Sequence, residues 1–374
     1  MVTLKAAMLA WILLASIGGN APVPAPDYAA VHDEALRRAQ VWVEPRTPIE
    51  RARLGENPPG PGEFAADQVV DCTFKPGGVA GSTPKFECEL PGGETLKVKY
   101  GVSNAEVYTE VAASRLLSAL GFPTDRMYVV ARLRCLGCPK DPFEVLQCVN
   151  GGTPIATCFP GLDFARAEEF SPAVIERPIE GRRIESDKER GWTWEELAKI
   201  DPKAGGATRD QIDALRLLAV LLGHWDNKAN NQRLVCLGEP RSSGKCRRPL
   251  AMIQDLGGTF GPNKLNLTAW AATPIWSDAA TCSVSMKKLP YGGSTFPDVT
   301  ITEGGRRFLA DRLRKVSSQQ VRDLFEGAGI SRYPHKTEDG RDVGKWAGAF
   351  EDKVRAIVDR APCPGGSRPV AIGW

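Results

Sequence analysis

The densest run of reactive side chains is Gly223-His224-Trp225-Asp226-Asn227-Lys228-Ala229-Asn230-Asn231-Gln232, between an apolar helical pattern and a short apolar run. Phosphoryl transfer relies on positioning and charge. A carboxylate orients the attacking hydroxyl, an amide oxygen holds a metal ion, and a cation offsets the phosphate charge. Asp226, Asn231 and Lys228 supply these three groups on one tight loop. A second piece, Gln254-Asp255-Leu256-Gly257, ends another apolar run. A carboxylate such as Asp255 can chelate magnesium between phosphates, and the glycine lets the backbone leave a strand sharply. Each piece alone is commonplace, because such loops also serve simply to end helices and strands.

These groups need elements that aim them into one place. Apolar residues recur at helical spacing through Ile212, Leu215, Leu218, Leu221 and Leu222, and Thr208 with Gln211 predicts a capping box ahead of them. Arg233 to Leu237 and Leu250 to Ile253 read as short strands. Upstream, Val69 to Phe74, Lys85 to Leu90 and Thr95 to Tyr100 read as strands around a turn carrying Gly77, Gly78 and Gly81. In Leu96-Lys97-Val98-Lys99-Tyr100, alternation places Lys97 and Lys99 on one face. Glu106 to Leu120 predicts a helix, stopped at Gly121, whose Val107, Val111, Ser114, Leu117 and Leu120 share a face. Glu106 and Glu110 are one turn apart there and either can hold a lysine. Tyr128 to Leu133 and Ala173 to Arg177 read as further strands, Glu176 to Gly191 as a charged linker, and the last third as helices. The expected division is a leader at 1–21, a Pro-rich arm at 22–65, a strand-rich small lobe at 66–172, a mostly helical large lobe at 173–362 and a tail at 363–374.

The leader has the order of an export signal. Lys5 precedes an apolar run from Ala6 to Ile17, and small residues follow. That run is short for a membrane span, which needs about 20 residues. Ten cysteines fit an oxidising compartment. Cys72 with Cys88 and Cys236 with Cys246 flank local turns and are the expected pairs. Cys135, Cys138, Cys148 and Cys158 are read as disulfide-bonded or as four zinc ligands, with export favouring the former. A net charge of +3 gives no field that points to nucleic acid. His32, His224 and His335 show no paired metal spacing, and no G-x-S-x-G elbow is present. His224 reads as a packed or hydrogen-bonding residue beside the loop. Trp192 and Trp194 read as core or as cleft lining.

Helix, D-x-K-x-x-N loop, strand, loop, strand and D-L-G follow in the order of a kinase large lobe. The chain resembles the atypical kinases of the protein-kinase-like fold: HipA-type kinases, phosphoinositide kinases and the secretory-pathway casein kinase. Thr109-Glu110-Val111-Ala112-Ala113-Ser114-Arg115-Leu116-Leu117-Ser118-Ala119-Leu120-Gly121 is similar to the HipA-type helix that carries the lysine's partner. The resemblance implies an α+β two-lobed fold, a Lys99–Glu110 pair, Asp226 as the catalytic aspartate, and Asn231 and Asp255 as metal ligands. It implies ATP with Mg²⁺ or Mn²⁺, and an acceptor that is a protein, a sugar or a lipid. Gly77, Gly78 and Gly81 are expected at the phosphates, although the turn lacks the full G-x-G-x-x-G spacing. Trp225 stands where typical protein kinases carry arginine, and no A-P-E follows Asp255. Transfer of AMP instead of phosphate, or a binding domain without turnover, uses the same fold.

Overall fold

The structure is a computed structural model that describes residues 28–77, 81–161, 163–186, 190–238, 246–262, 264–289 and 292–364. The export signal, Gly78 and the tail from 365 lie outside the described residues. The architecture is α+β, with a strand-rich small lobe and a mostly helical large lobe.

The small lobe is one seven-stranded sheet. Its strands are β1 (Val69–Lys75), β2 (Lys85–Glu89), β3 (Thr95–Tyr100), β4 (Arg126–Val130), β5 (Arg132–Leu136), β6 (Ala167–Phe170) and β7 (Ala173–Arg177). Their order across the sheet is β4-β7-β3-β2-β1-β5-β6. Two expectations are corrected here. The apolar stretch Tyr128 to Leu133 is two strands, because the chain breaks at Ala131 and sends β4 to one edge and β5 alongside β1. The expected lobe boundary at 172 cuts off β7, which pairs with both β3 and β4, so the sheet runs on to Arg177. Between β5 and β6 lie two helices, α3 (Pro142–Asn150) and α4 (Ile155–Cys158). Asp141 caps α3 by accepting from Phe143 N and Glu144 N.

The helix between β3 and β4 is α2 (Glu106–Ala119). A one-faced helix was expected, yet Glu106 through Leu117 are all buried. The sheet covers one side, helix α8 (Ser318–Gly327) another, and the arm a third, where Arg115 donates to Gly55 O at 3.0 Å and to Asn57 Oδ1 at 2.8 Å. Helix α1 (Tyr28–Arg37) opens the described part of the arm. Gln40 exchanges backbone hydrogen bonds with the large-lobe segment Pro249–Ala251, and Val43 N donates to Gly121 O at 2.9 Å. The arm therefore ties the two lobes together.

The large lobe carries a small sheet, β8 (Arg182–Arg183), β9 (Gln232–Cys236) and β10 (Pro249–Ile253), below which pack α5 (Arg209–Leu222), α6 (Leu267–Ala272), α7 (Glu303–Leu313), α8, α9 (Glu338–Arg341) and α10 (Val343–Val358). The capping box on α5 is present, with Gln211 N donating to Thr208 Oγ1 at 3.3 Å and Thr208 N to Gln211 Oε1 at 2.9 Å. Gly223 ends α5 in the left-handed region, φ +62°, which glycine adopts without strain. Trp192 and Trp194 are core residues, fully buried and edge to face, so they do not line the cleft.

All ten cysteines are paired: Cys72–Cys88, Cys135–Cys138, Cys148–Cys158, Cys236–Cys246 and Cys282–Cys363. Both expected pairs are present. The last bond anchors the start of the tail. No helix among the described residues is long and apolar enough to cross a membrane.

Candidate functional site

The lobes meet around a cleft of about 1540 Å³ whose lining includes Gly81, Lys85, Lys97, Glu106, Asp226, Lys228, Asn231 and Asp255. The loop after α5 and the segment after β10 are locked together at its floor. Asn231 O accepts from Gln254 N at 2.9 Å and from Asp255 N at 3.0 Å, and Trp225 N donates to Gly258 O at 3.0 Å. The packing is close enough that a Cβ on Gly258 would fall 2.7 Å from Asp226 Cβ, and one on Gly257 2.6 Å from Glu106 Cγ. These two glycines exist for that approach. Thr109 Oγ1 of α2 donates to Gly257 O at 3.1 Å and so reaches across the cleft.

On this floor Lys228 Nζ lies 3.0 Å from Asp226 Oδ1. Asn231 Nδ2 donates to Asp226 O at 2.6 Å, an arrangement that leaves the Asn231 amide oxygen without a hydrogen bond among the described residues. Asp255 Oδ1 accepts from Gly257 N at 3.0 Å. Burial opposes its ionisation, but Lys99, Lys97 and Lys85 outweigh that and hold it well below the usual carboxylate range. Asn231 and Asp255 therefore present hard oxygen donors, the type that Mg²⁺ and Mn²⁺ take.

Lys99 and Glu110 do not line the cleft but lie buried behind its roof: Lys99 is 1% exposed and its Nζ bonds both Glu110 and, at 2.9 Å, Glu106 Oε2, which does line it. The expected Lys99–Glu110 pair is present, and Glu106 shares the same ammonium. The start of α2 points at β3, so side chains one turn apart both reach the ammonium. Burial works against the Lys99 charge, yet the two carboxylates keep its pKa well above the usual lysine value. Glu106 also pairs with Lys264 at 2.5 Å, and its pKa falls to about 2 against the opposing effect of burial, with Lys99 the main attraction. Burial pushes Glu110 upward. Lys97 pairs with Glu176 at 2.6 Å, and Gln254 Nε2 donates to the same carboxylate at 3.2 Å.

Lys85 was not singled out from the sequence. Its side chain is buried, 6% exposed, and makes no hydrogen bond or ion pair among the described residues. Its Nζ lies over Gly81, where a Cβ would come within 2.7 Å. Burial, then the neighbouring Lys99, push its pKa down. The signal was the alternation of Lys85, Phe86 and Glu87, which becomes informative only once β2 is set in register with Lys85 opposite Lys99. Of the three expected turn glycines, Gly81 lines the cleft at φ +97°, Gly77 does not, and Gly78 lies outside the described residues.

His224 is fully buried beneath the loop, and neither ring nitrogen has a hydrogen-bond partner among the described residues. It is a packed residue, not a hydrogen-bonding one. Burial lowers its pKa to about 4, below the usual 6.5. The unfolded chain therefore takes up a proton that the folded one refuses, so this site's contribution is full above about pH 6.5 and is lost as pH falls toward 4. Subtracting the stability–pH curve of His224→Gln from that of the parent should reveal this fall, other groups cancelling. A flat difference between pH 7 and 4 would refute it.

No family model matches this sequence, and no curated protein matches it. Among solved structures, the chain is similar to the crystal structure of a Helicobacter pylori proinflammatory kinase, CtkA. The two share 11% identity with a TM-score of 0.42, over 78% of this chain and 97% of that one.

Proposed function

We propose that this chain is an exported kinase-like phosphotransferase that binds ATP with Mg²⁺ or Mn²⁺ in the interlobe cleft and transfers the γ-phosphate to an acceptor hydroxyl. The observation that carries this reading is the convergence of Asp226, Asn231 and Asp255 on the floor of the cleft with Lys85, Lys97 and Glu106 on its roof, Glu106 being held from behind by the buried Lys99–Glu110 pair. Asn231 and Asp255 would hold the metal ion, which when bound neutralises phosphate charge. Asp226 would orient the acceptor hydroxyl and accept its proton, and Lys228 would offset charge at the transferred group. Lys85 and the Gly81 backbone would meet the phosphates from the roof. The acceptor would be a protein, a sugar or a lipid. Export is supported by five disulfides, which persist in oxidising compartments.

Incubation with ATP labelled on the α- or the γ-phosphate tests the reaction. Transfer of γ-label is expected. Transfer of α-label would mean AMP transfer, and binding without transfer would mean a domain that does not turn over. Asp255→Ala removes a metal ligand and should abolish the metal-dependent thermal shift given by ATP. At a concentration of 100 times Kd that shift corresponds to about 2.7 kcal/mol in the parent. An unchanged shift in Asp255→Ala would remove Asp255 from the metal site.

A further inference from the structure

Two disulfides lie side by side in the core of the small lobe, and their four cysteines are not the sequence neighbours Cys135, Cys138, Cys148 and Cys158. Cys72 is on β1, Cys88 on β2 and Cys135 on β5, and β1 lies between the other two strands. The parallel pairing of β1 with β5 places Cys72 directly opposite Cys135. Cys138 follows Cys135 after a turn at Gly137, φ +73°, which folds the second sulfur back onto the first. Cys148 and Cys158 pair with each other, elsewhere on the α3–α4 segment.

Three of the four sulfurs form one tight cluster, and the fourth, Cys138 Sγ, is bonded to Cys135 Sγ at its edge. Sγ atoms of Cys72, Cys88 and Cys135 all lie within 4.8 Å of one another. Cys88 Sγ and Cys135 Sγ, which belong to different disulfides, are 3.7 Å apart. A tetrahedral zinc–thiolate centre with Zn–S bonds of about 2.3 Å has sulfur–sulfur edges of about 3.8 Å. The four residues are at most 4% exposed. Among the described residues no acidic or histidine side chain joins this group, so the donor set is all sulfur, which selects zinc over magnesium or calcium.

We propose that these four cysteines are one convertible site: two neighbouring disulfides in the oxidised chain, and a tetrathiolate zinc centre in the reduced chain. The conversion balances with a water-soluble phosphine as reductant. Each disulfide takes two electrons from one phosphine, which becomes the phosphine oxide with oxygen from water, and the two water protons go to the thiols. Zinc then displaces the four thiol protons. The oxidised form cross-links β1 to β2 and closes the turn after β5, and the zinc form would tie β5 to them as well, so the sheet that carries Lys99 keeps the β1–β2 brace in both. The inference does not depend on nucleotide chemistry.

The full chain is reduced with phosphine in the presence of Zn²⁺, desalted and assayed for bound metal. One zinc per chain is expected after reduction, and none before it. Cys148→Ser/Cys158→Ser should still bind one zinc, whereas Cys72→Ser/Cys138→Ser should bind none. Cobalt substitution guards against a misfolded variant: in the reduced parent, thiolate-to-cobalt absorption per ion should have the intensity of four thiolates, not two. A reduced parent without zinc, equal zinc in Cys72→Ser/Cys138→Ser, or a two-thiolate cobalt spectrum would each overturn the proposal.

Discussion

Asp226→Asn is expected to lower turnover by about 100-fold or more while leaving ATP affinity close to that of the parent. The side chain sits on the cleft floor with Lys228 Nζ at 3.0 Å, and its main chain is held by Asn231 and packed against Gly258. Asparagine keeps the shape, so the loop has no reason to move. What is lost is the negative charge that would attract the acceptor proton. Affinity and turnover should therefore separate, in contrast to Asp255→Ala, where affinity itself should fall. Steady-state transfer of γ-label, with thermal shift as the binding control, reads both quantities. Full turnover in Asp226→Asn would mean that another group serves the acceptor.

Lys99→Met should be the most damaging single change to folding. The lysine lies between Glu106 and Glu110, and all three are buried. Methionine fills much of the volume but leaves two carboxylates without their main cation. Removing one partner of a buried ion pair typically costs about 3–5 kcal/mol. Lys264 still reaches Glu106, so the loss should fall mainly on Glu110, whose carboxyl burial already pushes upward and which takes up a proton once Lys99 is gone. Urea unfolding should show the loss, and adding Glu110→Gln to Lys99→Met should recover part of it. The acid side supplies an independent sign. Glu106 has a folded pKa of about 2 against an ordinary 4.5, so its contribution is present above about pH 4.5 and is lost as pH falls toward 2. In Lys99→Met that acid loss should shrink. A variant as stable as the parent across this range would mean that the two glutamates are held by something other than Lys99.

Whatever depends on neighbours along the chain can be read from the residues in order. The capping box at Thr208 and Gln211, the stop at Gly223, the turn-flanking pairs Cys72–Cys88 and Cys236–Cys246, and the order of the loop carrying Asp226 and the segment carrying Asp255 were all legible, because each is a local hydrogen-bond or spacing requirement. Alternation likewise put Lys97 and Lys99 on one face of β3. Tertiary structure alone decided what that face meets. Strand pairing brought Glu176 to Lys97 and aligned Lys85 with Lys99, and the approach angle of α2 let both Glu106 and Glu110 reach one ammonium. The same holds for the cysteines. Cys135 is close to Cys148 in sequence, but the parallel β1–β5 pairing sets it beside Cys72 and Cys88. Parallel pairing joins segments far apart in the chain, and its register is fixed by the burial of a whole sheet face, a quantity that no short window of sequence contains.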